Sequence, residues 1–475
     1  MRPAEARLVN TAARSYGEAL QRLSELGSNR RTTHLFDVSP KADLNALAIP
    51  EMRGWLLRAG YSPEDLSRMR HIHVAGTKGK GSVCAHATAM LREYAPVGTF
   101  TSPHLVSPRE RIAINGKPVS QDLFAKAFFE VWDRFTEAAR NEGKPEAEAA
   151  GPDTKPFYFR FLTILAWHIY LSQGITDVVM ECGIGGEYDA TNVLPAEAVS
   201  AAVITQLGID HVAMLGDTTE KIAWHKAGVI KPGVRAFTRK LDGQPAVMEV
   251  LRARAREKGG ELVEVPDALV DAWGVLMALA LMAVKHHLRM DSDPLTALDG
   301  IPHPLIVGLQ QASLRGRCEK LQMSDVTWYL DGAHTKDSLE QVAGWFIPEL
   351  DADESAVLVF NQQDRNATEL LSGFLDATSQ VTSRLDVFQH AIFTRNEHDK
   401  PAEEQRDVQV QRKAAALMNS RIPACHVSVC DNLPDALAEV KQTAANGAKP
   451  LKILVTGSLH LVGGVMRLLE PDSQL

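Results

Sequence analysis

HIHVAGTKGKGS, residues 71–82, decides how the rest of the chain is read. Ile72 and Val74 alternate with polar neighbours as a short strand does, and the run then breaks into Gly76, Gly79 and Gly81. Lys78, Lys80 and Ser82 lie between and after those glycines, and Val83, Ala87, Met90 and Leu91 follow at helical spacing. A strand, a glycine loop and a helix in succession make a nest of backbone N–H groups at a helix N-terminus, which attracts phosphate. A lysine adds positive charge there, and a hydroxyl can take a position on Mg²⁺. In the common form G-x-x-x-x-G-K-[ST] the hydroxyl follows the lysine directly. Here Gly81 separates Lys80 from Ser82, and the first glycine comes two residues late. A plain glycine turn therefore also fits this stretch taken alone.

Working outward, 475 residues suggest two or three domains. With 45% hydrophobic and 23% charged residues, the composition is that of a soluble globular protein. A net charge of −8 argues against a general nucleic-acid or anionic-membrane surface. Any polyanion must therefore meet a local basic pocket. The five cysteines are scattered and none shows zinc-site spacing, so reduced thiols are expected. The N-terminus mixes arginines with Glu5 and Glu18 and lacks the apolar run of a secretory signal. The apolar stretches 157–171 and 275–284 carry or meet charged residues and read as core helices.

Along the chain, Tyr16–Leu26 and Pro50–Ala59 read as helices. Val97–Phe100 reads as a strand, followed by a polar loop with Ser102, His104, Arg109 and Arg111, then a turn at Asn115-Gly116. A helix follows from Asp122 to about Ala139. Residues 141–156 have the composition of a surface loop. The helix at 157–171 leads to the strand Asp177–Met180, which delivers Glu181 at its end. The strand Ala201–Thr205 ends near Asp210 and His211, and Thr218–Ala227 reads as a helix. Pro302, Pro304, Gly308, Gly316 and Arg317 mark a linker, after which strands and helices alternate again to the C-terminus. The expected fold is α/β: an N-terminal P-loop-type, mainly parallel sheet domain with helices on both faces over residues 1–308, and a smaller Rossmann-like α/β domain over 309–475.

Ligands of open parallel sheets gather at the carboxyl ends of the strands. Those ends carry the glycine loop, Ser102, Glu181 and the Asp210-His211 pair. Glu181 is the leading Mg²⁺ ligand, because a metal-binding acid falls at such a strand end downstream of a phosphate loop. His211 is a weaker candidate, since a loop histidine is more often a hydrogen-bonding or exposed residue. Lys226, on a helix, reads as an ordinary surface lysine from its own context. Arg317 can clamp a phosphate and Asp331 can accept from ribose hydroxyls, although either can equally make an interdomain ion pair. No N-K-x-D element, protein-kinase motif set or G-x-S-x-G elbow is present.

Taken in order, GTKGKGS (76–82), FTSPHLVSPRERIAINGKPVS (100–120), FYFRFLTILAWHIY (157–170), ECGIGGEYDATN (181–192), ITQLGIDH (204–211), HKAGVIKPG (225–233), LRGRCE (314–319), LDGAHT (330–335) and VTGSLHLVGG (455–464) resemble the folylpolyglutamate synthase family, within the Mur ligase superfamily of ATP-dependent amide-bond-forming enzymes. The resemblance runs from about Tyr16 to the C-terminus, and the unusual spacing of the glycine loop is the form that family uses. It implies that Gly79, Lys80, Gly81 and Ser82 hold ATP phosphates, with Arg317 and Asp331 on the nucleotide from the second domain. It implies Ser102, Glu181 and His211 as metal ligands for Mg²⁺, two ions being expected, with a monovalent cation as a further expectation. Lys226 matches a lysine that is carbamylated in this superfamily. Lys80, Lys226 and His334 are the implied catalytic residues, and Arg109, Arg111 and Ser458 the implied substrate-side residues.

The implied reaction joins L-glutamate through a γ-linkage to tetrahydrofolate or its polyglutamates, by way of an acyl phosphate, with ADP and phosphate released. Dihydrofolate synthase, or an enzyme with both activities, is the alternative on the same fold; a nucleotide-binding protein without turnover is the alternative outside enzymes. The 100–120 and 157–170 stretches favour the eukaryotic folylpolyglutamate synthase branch. Glu187 stands where relatives often have a basic or small residue, which is expected to alter local substrate contacts. The implied partners are the small-molecule substrates, with no nucleic acid and no membrane, and a monomer is expected. The expected location is the cytoplasm, with a mitochondrial form as the second possibility.

Overall fold

The computed structural model describes residues 14–27, 45, 47–290, 300–351, 354–362, 366–384, 387–396, 407–446 and 450–470. The chain divides into two compact units, Met1–His104 with Pro108–Ala312, and Leu105–Ser107 with Ser313–Leu475.

The first unit is built on eight strands: β1 (Arg70–Ala75), β2 (Val97–Phe100), β3 (Ile112–Ile114), β4 (Lys117–Pro118), β5 (Asp177–Glu181), β6 (Val199–Ile204), β7 (Arg235–Thr238) and β8 (Glu261–Glu264). Their order in the sheet is β4-β3-β2-β5-β1-β6-β7-β8. From β2 to β8 every pairing is parallel, and β3 and β4 add an antiparallel hairpin at one edge through the Asn115-Gly116 turn. Alternate residues of the central strands feed two cores, because strand side chains point to opposite faces in turn. Ile72, Val74, Val179, Ala201 and Val203 pack with the helices Lys80–Leu91, Val275–His287 and His303–Gln311. Ala75, Val178, Met180, Ala202 and Ile204 face the other way, toward Tyr16–Glu25, Ala48–Arg58, Gln121–Asn141 and Tyr158–Ser172. Helices therefore cover both faces, as parallel sheets require. Among the described residues no single helix is long and apolar enough to cross a membrane.

The second unit repeats the scheme with β9 (Glu319–Met323), β10 (Val326–Leu330), β11 (Ala356–Phe360), β12 (Phe388–Thr394), β13 (His426–Cys430) and β14 (Leu451–Thr456), in the order β13-β12-β11-β14-β10-β9. Among the described strands only β9 runs antiparallel. Tyr329, Leu358, Phe360 and Leu454 pack on one face, and Trp328, Leu330, Val357, Val359, Ile453 and Val455 on the other.

Two expectations from the sequence are corrected. Residues 141–156 are not a plain surface loop: they contain the short helix Glu146–Ala149 and a 3₁₀ turn, Pro152–Thr154. Lys155 is buried there, its ammonium donating to the Ala149 and Gly151 carbonyls at 2.7 and 3.0 Å and to the Thr154 hydroxyl at 2.8 Å. A chain rich in polar residues can fold this way because one buried cation satisfies several carbonyls at once. Nor is the stretch from Pro302 to Gly308 a linker. It opens the helix His303–Gln311, with Pro304 at its first turn, where a missing N–H costs nothing. Leu305 and Leu309 are buried, and Gly308 sits so close to the Ala89 carbonyl that a Cβ would stand 2.6 Å from it.

Candidate active site

The strand order β2-β5-β1-β6 sets four carboxyl ends side by side: Phe100, Glu181, Ala75 and Ile204. The glycine loop leaves from the third of these. Gly76 has φ +152° and packs on Thr205. The Thr77 and Lys78 amides donate to the Gln206 carbonyl at 2.8 and 3.3 Å, and the Thr205 hydroxyl donates to the Lys78 carbonyl at 2.7 Å. The loop is thus tied to the segment that follows β6. Gly79, at φ +84°, is the N-cap of Lys80–Leu91 and supplies no side-chain cap. The first turn of that helix, Lys80, Gly81 and Ser82, therefore presents backbone amides with no capping side chain in front of them, the arrangement that suits an anion.

Glu181 is the centre of charge. It is 3% exposed; its Oε2 accepts from the Ser102 N–H at 2.9 Å, and its Oε1 lies 3.7 Å from the Lys80 ammonium. Lys226 ends the helix Thr219–Lys226, is 2% exposed and donates to the Gly76 carbonyl at 2.8 Å. Burial, with the neighbouring Lys80 charge, pushes its ammonium down to about 8. The ordinary surface-lysine reading is thereby corrected: a helix end packed on the glycine loop leaves this side chain no route to water. Arg111 is partly buried, which lowers its pKa against the pull of Tyr158 and Glu181. Its Nε donates to His104 Nδ1 at 2.9 Å, and its guanidinium lies 5.5 Å from the Tyr158 ring centroid.

Other candidates are placed differently. His211 has φ +49°, is half exposed, and its Nε2 is 3.8 Å from Asp210 Oδ2. Arg109 is only 1% exposed; its guanidinium donates to the Val119 carbonyl at 2.6 Å and lies over the Tyr16 ring. Such burial gives its guanidinium a packing role. Glu187 is likewise spoken for, at 2.6 Å from Arg254 and 2.8 Å from Lys258. It anchors the helix Pro245–Lys258. In the second unit, Asp331 directly follows β10 and is buried. Its carboxylate accepts from the Cys318 and Ala333 amides, both at 2.8 Å, holding the 314–318 turn that carries Arg317. His334 Nδ1 bonds the Gly332 carbonyl at 2.9 Å. Ser458 is the N-cap of Leu459–Leu469, its hydroxyl accepting from the His460 and Leu461 amides. As a cap the hydroxyl uses its oxygen lone pairs, and its O–H is still a donor.

Among the described residues no group of three or more His, Cys, Asp or Glu side chains is assembled to hold a metal by protein ligands alone. Mg²⁺ fits the residues nonetheless. It keeps water and phosphate oxygens and needs only one or two carboxylates, and Glu181 is a buried carboxylate beside Lys80 of the glycine loop, whose ion pair with it is longer than a hydrogen bond. The residue not singled out from the sequence is His104. Its only sequence signal is its place in the loop between Ser102 and Arg111, and the contact with Arg111 is a matter of folding.

The family model for the C-terminal domain of dihydrofolate synthetase matches residues 314–468. The chain is 37% identical to a folylpolyglutamate synthase of Neurospora crassa over 99% of its own length and 94% of that protein. It is 34% identical to a probable folylpolyglutamate synthase of Schizosaccharomyces pombe, over 97% and 95%. The fold matches that of the apo form of a folylpolyglutamate synthase from L. casei with a TM-score of 0.70 at 21% identity, covering 96% of this chain and 99% of the other. It matches a Mycobacterium tuberculosis folylpolyglutamate synthase complexed with ADP with a TM-score of 0.67 at 24% identity, with the same coverage. With identity above one third sustained along almost its whole length, the chain belongs to the folylpolyglutamate synthase family.

Proposed function

We propose that the chain is an ATP-dependent ligase that adds L-glutamate through a γ-linkage to tetrahydrofolate and its polyglutamates. The observation that carries this reading is the meeting of Lys80, Glu181 and the Ser102 amide beside an uncapped helix N-terminus, in a chain whose full-length relatives are folylpolyglutamate synthases. A carboxylate is a poor electrophile. Transfer of the γ-phosphoryl group of ATP to a carboxylate oxygen releases ADP and leaves an acyl phosphate. The glutamate amine then attacks the acyl carbon; the C–N bond forms, the C–O bond to phosphate breaks, and the amine loses its proton.

Lys80 and the amides of Gly79–Ser82 bind the phosphates and offset the charge that develops during transfer. Mg²⁺, when bound, supplies further charge neutralisation, with Glu181, Ser102 and His211 as the residues that would hold it. Lys226 is suited to carbamylation, because burial enlarges the neutral fraction of its amine, the form that attacks CO₂. In the second unit Arg317 is the candidate phosphate contact, Asp331 sets the turn that carries it, and His334 is the remaining imidazole candidate.

The test is an ATP-dependent incorporation assay with labelled glutamate, offering tetrahydrofolate and dihydropteroate separately. Incorporation with tetrahydrofolate and stoichiometric ADP supports the reading. Incorporation with dihydropteroate alone would reverse the choice of acceptor. Carbamylation is checked by ¹³C NMR of protein equilibrated with labelled bicarbonate, the signal being absent from Lys226→Arg.

A further inference from the structure

The loop from Thr101 to Arg111 is held at three points. The Thr101 amide donates to the Arg111 carbonyl at 3.0 Å, the Ser102 amide to Glu181, and the Arg111 guanidinium packs against Tyr158 at the start of the helix Tyr158–Ser172. His104 lies inside this frame, two residues beyond the amide that fixes Glu181, and is partly exposed. Its bond to Arg111 decides more than its position. An arginine Nε carries one hydrogen and no lone pair to give, so it can only donate. At 2.9 Å from His104 Nδ1, it makes that nitrogen the acceptor. The neutral imidazole then carries its proton on Nε2, and one tautomer is selected by a neighbour that never loses its charge.

We infer that His104, held by Arg111 as the Nε2–H tautomer, donates a hydrogen bond to the carboxylate of the acceptor substrate, with Arg111 as the residue that positions it. The inference rests on the ligase reading above. A donor on the loop whose Ser102 amide is bonded to Glu181 recognises an anionic oxygen, and two sources carry one: the acceptor carboxylate and the phosphoryl groups of ATP. The phosphates already have the glycine-loop amides and Lys80, which lie at the end of β1. His104 extends from the end of β2, on the far side of Glu181 from that loop in the strand order. That placement favours the carboxylate.

The test separates the two nitrogens. In full-length protein, His104→Ala is expected to lower kcat/KM for the tetrahydrofolate acceptor about 10- to 100-fold, the range for a hydrogen bond to a charged group, while KM for ATP stays within threefold. His104→Gln, whose amide N–H reaches the place of Nε2, is expected to recover at least tenfold over His104→Ala; His104→Asn, which mimics Nδ1, is not. Arg111→Gln is expected to lower the same parameter, and the double variant Arg111→Gln/His104→Ala to be no worse than His104→Ala alone. Circular dichroism and thermal unfolding confirm that each variant is folded, and Tyr158→Phe keeps the packing of Arg111 as a control. A His104→Ala effect below twofold, equal activity of the Gln and Asn variants, multiplied effects in the double variant, or a defect confined to KM for ATP would each overturn the inference. If the parent protein itself glutamylates no folate, the ligase reading fails instead.

Discussion

Replacing Gly76 by alanine tests the physical basis of the glycine loop at its tightest point. A Cβ built on Gly76 would stand 1.8 Å from Thr205 Oγ1, 2.9 Å from Thr205 Cβ and 3.2 Å from the Thr205 amide nitrogen. The first distance is far inside van der Waals contact, and the third involves backbone in the strand-to-loop junction after β6. Two costs add. A residue with a side chain at φ +152° is strained by about 1–3 kcal/mol, and overpacking a well-filled site costs about 1–3 kcal/mol more. If Thr205 rotates away, its hydrogen bond to the Lys78 carbonyl is lost, at about 1 kcal/mol. Gly76→Ala should therefore destabilise the first unit by at least about 2 kcal/mol. Thr205→Ala removes the closest contact but not the backbone strain, so the double variant should be less than additive by about 1 kcal/mol or more. Urea unfolding of the intact chain measures the stabilities. Hydrogen exchange at the Thr77 and Lys78 amides, both bonded to the Gln206 carbonyl, localises the change. A Gly76→Ala cost below 0.5 kcal/mol, or strict additivity with Thr205→Ala, would refute the reasoning.

Three further outcomes follow from the same site and core. Lys80→Ala should lower the rate of ADP formation by about 10²- to 10³-fold in a folded protein, read by a coupled ADP assay; near-normal turnover would remove Lys80 from phosphate binding. Glu181→Gln keeps an acceptor for the Ser102 amide but loses the charge, so thermal stability should hold while activity falls and its Mg²⁺ dependence shifts to higher concentration; an unchanged Mg²⁺ titration would exclude Glu181 as a ligand. His71 is fully buried, with Nδ1 at 2.9 Å from the Ala198 carbonyl, and burial pushes its pKa down to about 4. Between pH 6.5 and about 4 the unfolded chain takes up a proton that the folded one refuses. Stability from this group is therefore full above 6.5 and lost as pH falls through that window, by about 3 kcal/mol. His71→Leu should flatten the urea-unfolding free energy against pH over the same interval, and parallel curves for parent and variant would contradict the assignment.

Much of this architecture is local and therefore legible in the chain itself. The strand Val97–Phe100, the strands Ala356–Phe360 and Leu451–Thr456, and most helices follow from alternation, helical spacing and capping residues within a few positions. The glycine-loop stretch showed a strand, a turn and a helix start without any reference to the rest of the molecule, and Glu181 showed itself as an acid ending an apolar strand. The errors lie where long-range packing overrides local composition. His303–Gln311 looked like a linker because of its prolines, yet its apolar residues find the sheet's helical layer. Residues 141–156 looked like a loop because they are polar, yet the buried Lys155 finds three oxygens. Only the tertiary structure could decide what the site's side chains are for. Arg109 and Arg111 are two residues apart and alike in sequence, but the fold buries one guanidinium on a carbonyl and turns the other toward His104 near Glu181. Lys226 is an ordinary helix lysine until burial against the Gly76 carbonyl removes its water. Sequence alone determined which residue types could do this chemistry and at which strand ends, because secondary structure is set by near neighbours. Partners, burial and charge state depended on contacts such as that of Lys226 with Gly76, 150 positions apart, and those exist only once the sheet is assembled.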